Sequence, residues 1–147
     1  MRNAIIIFCL MLCLGFFGCA KKEIIKPDPT PAPVFSLPSD VLFEENSAEL
    51  KAEKIKELDE LASYMLEHPN YIIEIGGHSD KRKTSKKKYN DELSLERAEA
   101  VKAYLLKKGV LHTKIAVKGY GFSKPVEENH PEKGNSANRR VTFKQIK

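Results

Sequence analysis

A chain of 147 residues, 41% hydrophobic and 31% charged, has the length of a single compact domain with one core. Its 25 Lys and Arg stand against 20 Asp and Glu, a mild net charge of +5 that becomes +4 once Arg2 departs with a leader, and most of it sits in one loop. Cys9, Cys13 and Cys19 all precede that domain, so a processed chain keeps Cys19 alone and an internal disulfide is excluded.

The amino end reads as an export signal. Arg2 supplies a positive start, Ala4 to Phe17 is an almost unbroken apolar run, and the small Gly18 precedes Cys19. The run is shorter than the roughly 20 residues a membrane-spanning helix needs, and no later stretch approaches that length. Phe16-Phe17-Gly18-Cys19 resembles a lipobox, with phenylalanines where Leu followed by Ala or Ser is usual. Cleavage before Cys19 would make it a lipid-bearing amino terminus, attached permanently by several acyl chains; a plain signal peptide and an uncleaved anchor are the alternatives. Ala20, rather than Asp, after the cysteine resembles bacterial lipoproteins sorted to the outer membrane.

Lys21 to Pro38 contains five prolines and no periodic apolar face. Proline favours an extended chain rising about 3.1 Å per residue, so this segment reads as a semi-rigid stalk with a reach on the order of 50 Å. The expected organisation is a signal at 1–18, a lipidated Cys19 and tether over 19–38, and a domain at 39–147.

Within the domain, Asp40 to Phe43 is expected as a short strand. Asn46-Ser47 then caps a helix whose Ile55, Leu58, Leu61, Ala62 and Met65 recur at helical steps. That helix stops at His68-Pro69, as proline requires. Tyr71 to Gly76 is a strand with Ile73 and Ile75 on one face, and a second helix runs from about Asp91 to Lys108, closed by Gly109. Ile115 to Lys118 and Val141 to Ile146 complete the set. The order strand, helix, strand, helix, strand, strand implies an α+β sandwich, with two helices on one face of a mixed sheet of about four strands.

The candidate site lies where a strand meets a helix. The strand runs into Gly77-His78-Ser79-Asp80, and Arg97 keeps step with Leu93 and Val101 on the apolar side of the second helix. A strand-end carboxylate and an inward guanidinium suit a small ligand that carries an ammonium and a carboxylate, since the acid accepts hydrogen bonds and the arginine fork donates two in parallel. Each residue also has a plainer reading. Asp80 could close an Asx-turn, Arg97 could let its stem snorkel to water, and Asn90 could simply cap the second helix. Arg139 and Arg140 precede the last strand and point to opposite faces, so at most one aims at any given site.

Ile73-Glu74-Ile75-Gly76-Gly77-His78-Ser79-Asp80, Tyr89-Asn90, Leu93-Ser94, Arg97-Ala98, Gly119-Tyr120-Gly121, Gly134 and Asn138-Arg139-Arg140-Val141 together resemble the OmpA-like peptidoglycan-binding domain. With a lipobox and a proline-rich stalk, the chain is similar to the peptidoglycan-associated lipoproteins (Pal) of that family. The resemblance covers nearly everything after Val41. It implies that Asp80 and Arg97 grip the diaminopimelate, or an equivalent diamine, of the wall's stem peptide, with Asn90 and Arg139 as supporting contacts. It also implies an outer-membrane lipoprotein whose domain faces the periplasm, tethers the membrane to peptidoglycan without cofactor or metal, and has Tol-type proteins as partners.

One segment departs from the family pattern. Lys83 replaces a usual glycine, and Asn90 follows Asp80 by ten positions instead of eight. The segment Lys81 to Lys88 holds six basic residues among eight, which fits either a solvated loop or long-range attraction for an anionic surface.

Other function classes fit less well. A wall-associated enzyme, or an accessory subunit acting on peptidoglycan, would need a catalytic constellation. His68, His78, His112 and His130 have no metal-ligand spacing, and no serine has a nucleophile-elbow context. Export removes nucleic acid from reach, and Tyr89 alone makes no stacking platform. A motor stator of the same domain family would need a membrane helix carrying a functional acid.

Overall fold

The computed structural model describes residues 35–44, 46–51 and 55–146; the expected leader, Cys19 and the tether as far as residue 34 lie outside the described residues. The sheet consists of β1 (Phe35–Pro38), β2 (Ile73–Gly77), β3 (Ile115–Gly119) and β4 (Arg140–Gln145), in the order β1-β4-β2-β3. β4 is antiparallel to both β1 and β2, while β2 and β3 are parallel. The register places Ile75 opposite Phe143 and Val117, and Ile73 opposite Ile115. Alternation therefore sends these side chains, with Leu37 and Val141, to one apolar face.

Helices cover that face. α1 (Ser39–Leu42) is a single turn, α2 spans Lys56–Glu67 and α3 spans Lys87–Lys107. α2 buries Leu58, Leu61, Ala62 and Met65 at helical spacing and ends just before Pro69. α3 buries Leu93, Ser94, Arg97, Ala98, Val101 and Leu105, and Gly109 follows it at φ +98, where a residue without Cβ is favoured. α3 lies so close to the end of β2 that a Cβ on Gly77 would come within 1.8 Å of the Ser94 carbonyl oxygen. The Gly77-His78 step is thus pinned directly beneath the turn of α3 that carries Ser94 and Arg97.

The element order and the α+β sandwich match the sequence expectation, with four local differences. Residues 39–42 form a helical turn in place of a strand, because Leu42 and Phe43 are both buried, which an alternating strand with one covered face does not allow. The first strand lies earlier, at Phe35–Pro38, in the stretch expected to be tether; Pro38 is accommodated because β1 is an edge strand. Asn46-Ser47 is a turn, not a helix cap: Asn46 has φ +51, and Ser47 Oγ accepts from the Glu49 amide at 2.9 Å. α3 starts at Lys87 rather than Asp91, extended by lysines of good helix propensity that form i, i+4 pairs, Lys87 with Asp91 and Lys88 with Glu92.

Candidate functional site

Asp80 is held by the segment that leaves β2. The His78 amide donates to the Arg140 carbonyl at 2.9 Å and the Ser79 amide to the Gly121 carbonyl at 2.8 Å, which carries the chain inward as far as Asp80. The Asp80 carboxylate is mostly buried, and its Oδ2 accepts from Arg139 Nη1 at 2.9 Å. Arg82 Nε approaches the same oxygen at 3.4 Å. Gly134 packs against it, so that a Cβ at this position would fall 1.9 Å from Oδ2, and its φ of +68 also favours glycine.

A buried asparagine fixes the loop that brings Gly134 and Arg139 to Asp80. Asn138 is fully buried; its Oδ1 accepts from the Val126 and Glu127 amides at 2.8 and 3.2 Å, and its Nδ2 donates to the Glu127 carbonyl and to Asn129 Oδ1 at 2.8 and 2.9 Å. Asn129 Oδ1 also accepts from the Lys81 amide at 3.0 Å, tying this loop to the residue that follows Asp80.

Arg97 enters from α3. It is 7% exposed, its Nε donates to the Ser47 carbonyl at 2.9 Å, and its guanidinium lies 5.4 Å from the centre of the Phe43 ring. A cation over an aromatic face is favourable. The turn at Asn46-Ser47 therefore positions this arginine.

Asp80, Asn90, Arg97 and Arg139 all line one cleft of about 550 Å³. Asn90 lies inside the first turn of α3, where its Nδ2 donates to the Lys86 carbonyl at 3.0 Å; Lys86 takes the capping position expected for it. Arg140 turns away from the cleft, donating to the Lys124 and Asn138 carbonyls at 3.2 and 3.4 Å, as alternation requires. Sequence reasoning missed Phe43, Ser79 and Tyr89 as lining residues, and it read Arg82 and Lys86 as part of a solvated loop or a source of long-range attraction, not as walls of the cleft. The density of positive charge was the available signal for the last two.

His78 is not part of this cleft. Its ring stacks on Tyr120 at 5.0 Å and its Nε2 bonds Thr142 Oγ1 at 3.1 Å, on the opposite face of the sheet. Burial, then the positive charges of Arg140 and Lys124, push its pKa down to about 4, which leaves the ring neutral at pH 7. Among the described residues, no three His, Cys, Asp or Glu side chains are grouped to hold a metal ion. The cleft offers a carboxylate, guanidinium and ammonium groups and neutral polar side chains, a set that recognises charge and hydrogen-bonding pattern.

A model described as the OmpA family matches residues 42–139. The chain belongs to the OmpA family. It is 40% identical over 100 residues to the peptidoglycan-associated lipoprotein of Buchnera aphidicola, covering 68% of this chain and 57% of the relative. It is 31% identical over 139 residues to the protein of the same name from Rhizobium meliloti, covering 85% of this chain and 77% of that one. The crystal structure of the peptidoglycan-associated lipoprotein from Burkholderia pseudomallei superposes with a TM-score of 0.63 at 30% identity, over 71% of this chain and 86% of that one. The OmpA-family sandwich of two helices on a four-stranded mixed sheet is thus the fold on which Asp80 and Arg97 are mounted.

Proposed function

We propose that this OmpA-family chain binds the stem peptides of peptidoglycan non-covalently and fastens the outer membrane to the cell wall. The observation that carries the reading is the placement of Asp80 and Arg97, one acid and one base, each mostly buried, in the wall of a single cleft. Asp80 accepts hydrogen bonds from the ammonium of the stem's diamino acid and Arg97 donates to its carboxylate. Arg139 orients Asp80, and Asn90 supplies a neutral contact beside Arg97. The relatives named peptidoglycan-associated lipoprotein support the same polymer as ligand.

The function is mechanical rather than catalytic. A few charge-assisted bonds contribute roughly 1.5 to 3 kcal/mol each before ordering costs, so one site binds modestly. A lipid at Cys19 and a polymer with many identical sites would keep the effective concentration high. The proline-rich stalk would give the domain reach from an outer-membrane anchor into the periplasm, where Tol-type proteins are candidate partners. Co-sedimentation of the full chain with purified wall sacculi tests the reading. Retention by sacculi is the expected result, and recovery of the chain wholly in the supernatant would refute it. Replacing Cys19 with Ala should release the protein from membranes into the periplasmic fraction; unchanged membrane association would instead identify an uncleaved anchor.

A further inference from the structure

The cleft carries more positive charge than one zwitterion requires. Among its described lining residues, Lys51, Arg82, Lys86, Arg97 and Arg139 are cationic and Asp80 alone is acidic. Arg139 is engaged with Asp80 at 2.9 Å, whereas Arg82 reaches it only through Nε at 3.4 Å and keeps 47% of its side chain exposed. Lys86 stands at the amino end of α3, a helix of 21 residues with no side chain capping that end and no acid in its first turn. The partial positive charge of the helix terminus therefore adds to the two side chains at the same rim. In the same cleft, Ser79 is 5% exposed, and its Oγ has no hydrogen-bond partner among the described residues. A buried hydroxyl in that condition carries a desolvation cost.

We propose that Arg82 and Lys86, with the amino end of α3, form a second carboxylate subsite, so that the cleft prefers stem peptides in which the isoglutamyl residue beside the diamino acid keeps a free α-carboxylate. This deepens the stem-peptide reading and rests on it. A carboxylate placed there accepts charge-assisted hydrogen bonds from the guanidinium and the ammonium, and it supplies the acid that the first turn of α3 lacks. Amidation removes the charge and turns a donor toward the two cations, which have none to accept it. The departure of the Lys81 to Lys88 segment from the family pattern thereby becomes a specificity device.

The test is calorimetric titration of the detergent-solubilised full chain with two soluble tripeptides, L-alanyl-γ-D-glutamyl-diaminopimelate and its isoglutamine counterpart. The acid should bind about tenfold more tightly than the amide, the effect of one charge-assisted contact. In the Arg82→Gln/Lys86→Gln double variant the ratio should fall to near one, because the acid loses more affinity than the amide. Equal affinities in the native chain, or undiminished discrimination in the double variant, would overturn the subsite and leave the stem-peptide reading standing. Failure of both peptides to bind the native chain would overturn the two together.

Discussion

Arg139 Nη1 donates to Asp80 Oδ2 at 2.9 Å, joining residues 59 positions apart at the mouth of a cleft that Arg97 enters from α3. The bond engages one carboxylate oxygen of Asp80, and in the proposed reading the other accepts from the ligand's ammonium. Asp80→Ala and Arg97→Ala should each weaken sacculus binding by about ten- to a hundredfold, the loss of one or two charge-assisted contacts. Arg139→Ala should weaken it less, since it acts through Asp80. Circular dichroism of the variants should match the native chain; full retention of both Asp80→Ala and Arg97→Ala on sacculi would refute the assignment.

Gly134 serves the same carboxylate from behind. Its φ of +68 and the 1.9 Å that would separate a Cβ from Asp80 Oδ2 leave no room for alanine without moving the acid. Gly134→Ala should cost roughly 1 kcal/mol or more of stability through the left-handed backbone alone. Binding should fall alongside, because Asp80 is displaced. Native affinity with native unfolding midpoint in this variant would show that the loop, not Asp80, yields.

That Asp80 and Arg97 line one cleft was foreshadowed by a strand that ends at Gly77 and an apolar stripe of α3 that includes position 97, though these signals left each residue a plainer reading and only the family resemblance joined the two. The parts that were not legible depend on contacts between distant segments. Phe43 reaches Arg97 only because residues 39–42 coil into a turn, and local alternation gave no sign of that. Asn90 passed for a cap because asparagine favours that place, yet the lysines before it extend the helix by a full turn. Pro38 looked like tether because proline breaks most strands, and only the edge position of β1 reveals why it pairs.

Asn138 holds the loop that connects these groups. Its amide satisfies two backbone amides, one carbonyl and the side chain of Asn129, all from a fully buried position. Asn138→Ala would leave several of these groups unpaired in the interior, at about 1 to 3 kcal/mol for each one left buried. The unfolding midpoint should drop by several degrees, and amides such as those of Val126 and Glu127 should exchange hydrogen faster. Unchanged exchange at both amides would show that water replaces the side chain without loss.

His78 sets the expected pH dependence of stability. Its ring is buried between Tyr120 and Thr142, near the charges of Arg140 and Lys124 and with Glu74 acting weakly in the opposite sense, and its pKa is lowered to about 4. In the unfolded chain the same ring titrates near 6.5, so between these values the unfolded state binds the additional proton. Stability contributed by burying the neutral ring is therefore fully present above about pH 6.5 and declines as pH falls toward about 4. At about 1.4 kcal/mol for each pKa unit, the decline amounts to a few kcal/mol. The informative quantity is the difference between the native chain and His78→Gln, whose amide can still bond Thr142, because contributions from the rest of the chain cancel in it. Denaturant midpoints of the two should converge from pH 7 toward pH 4.5, because the native chain loses more. Parallel curves would mean that His78 takes up its proton without leaving the fold.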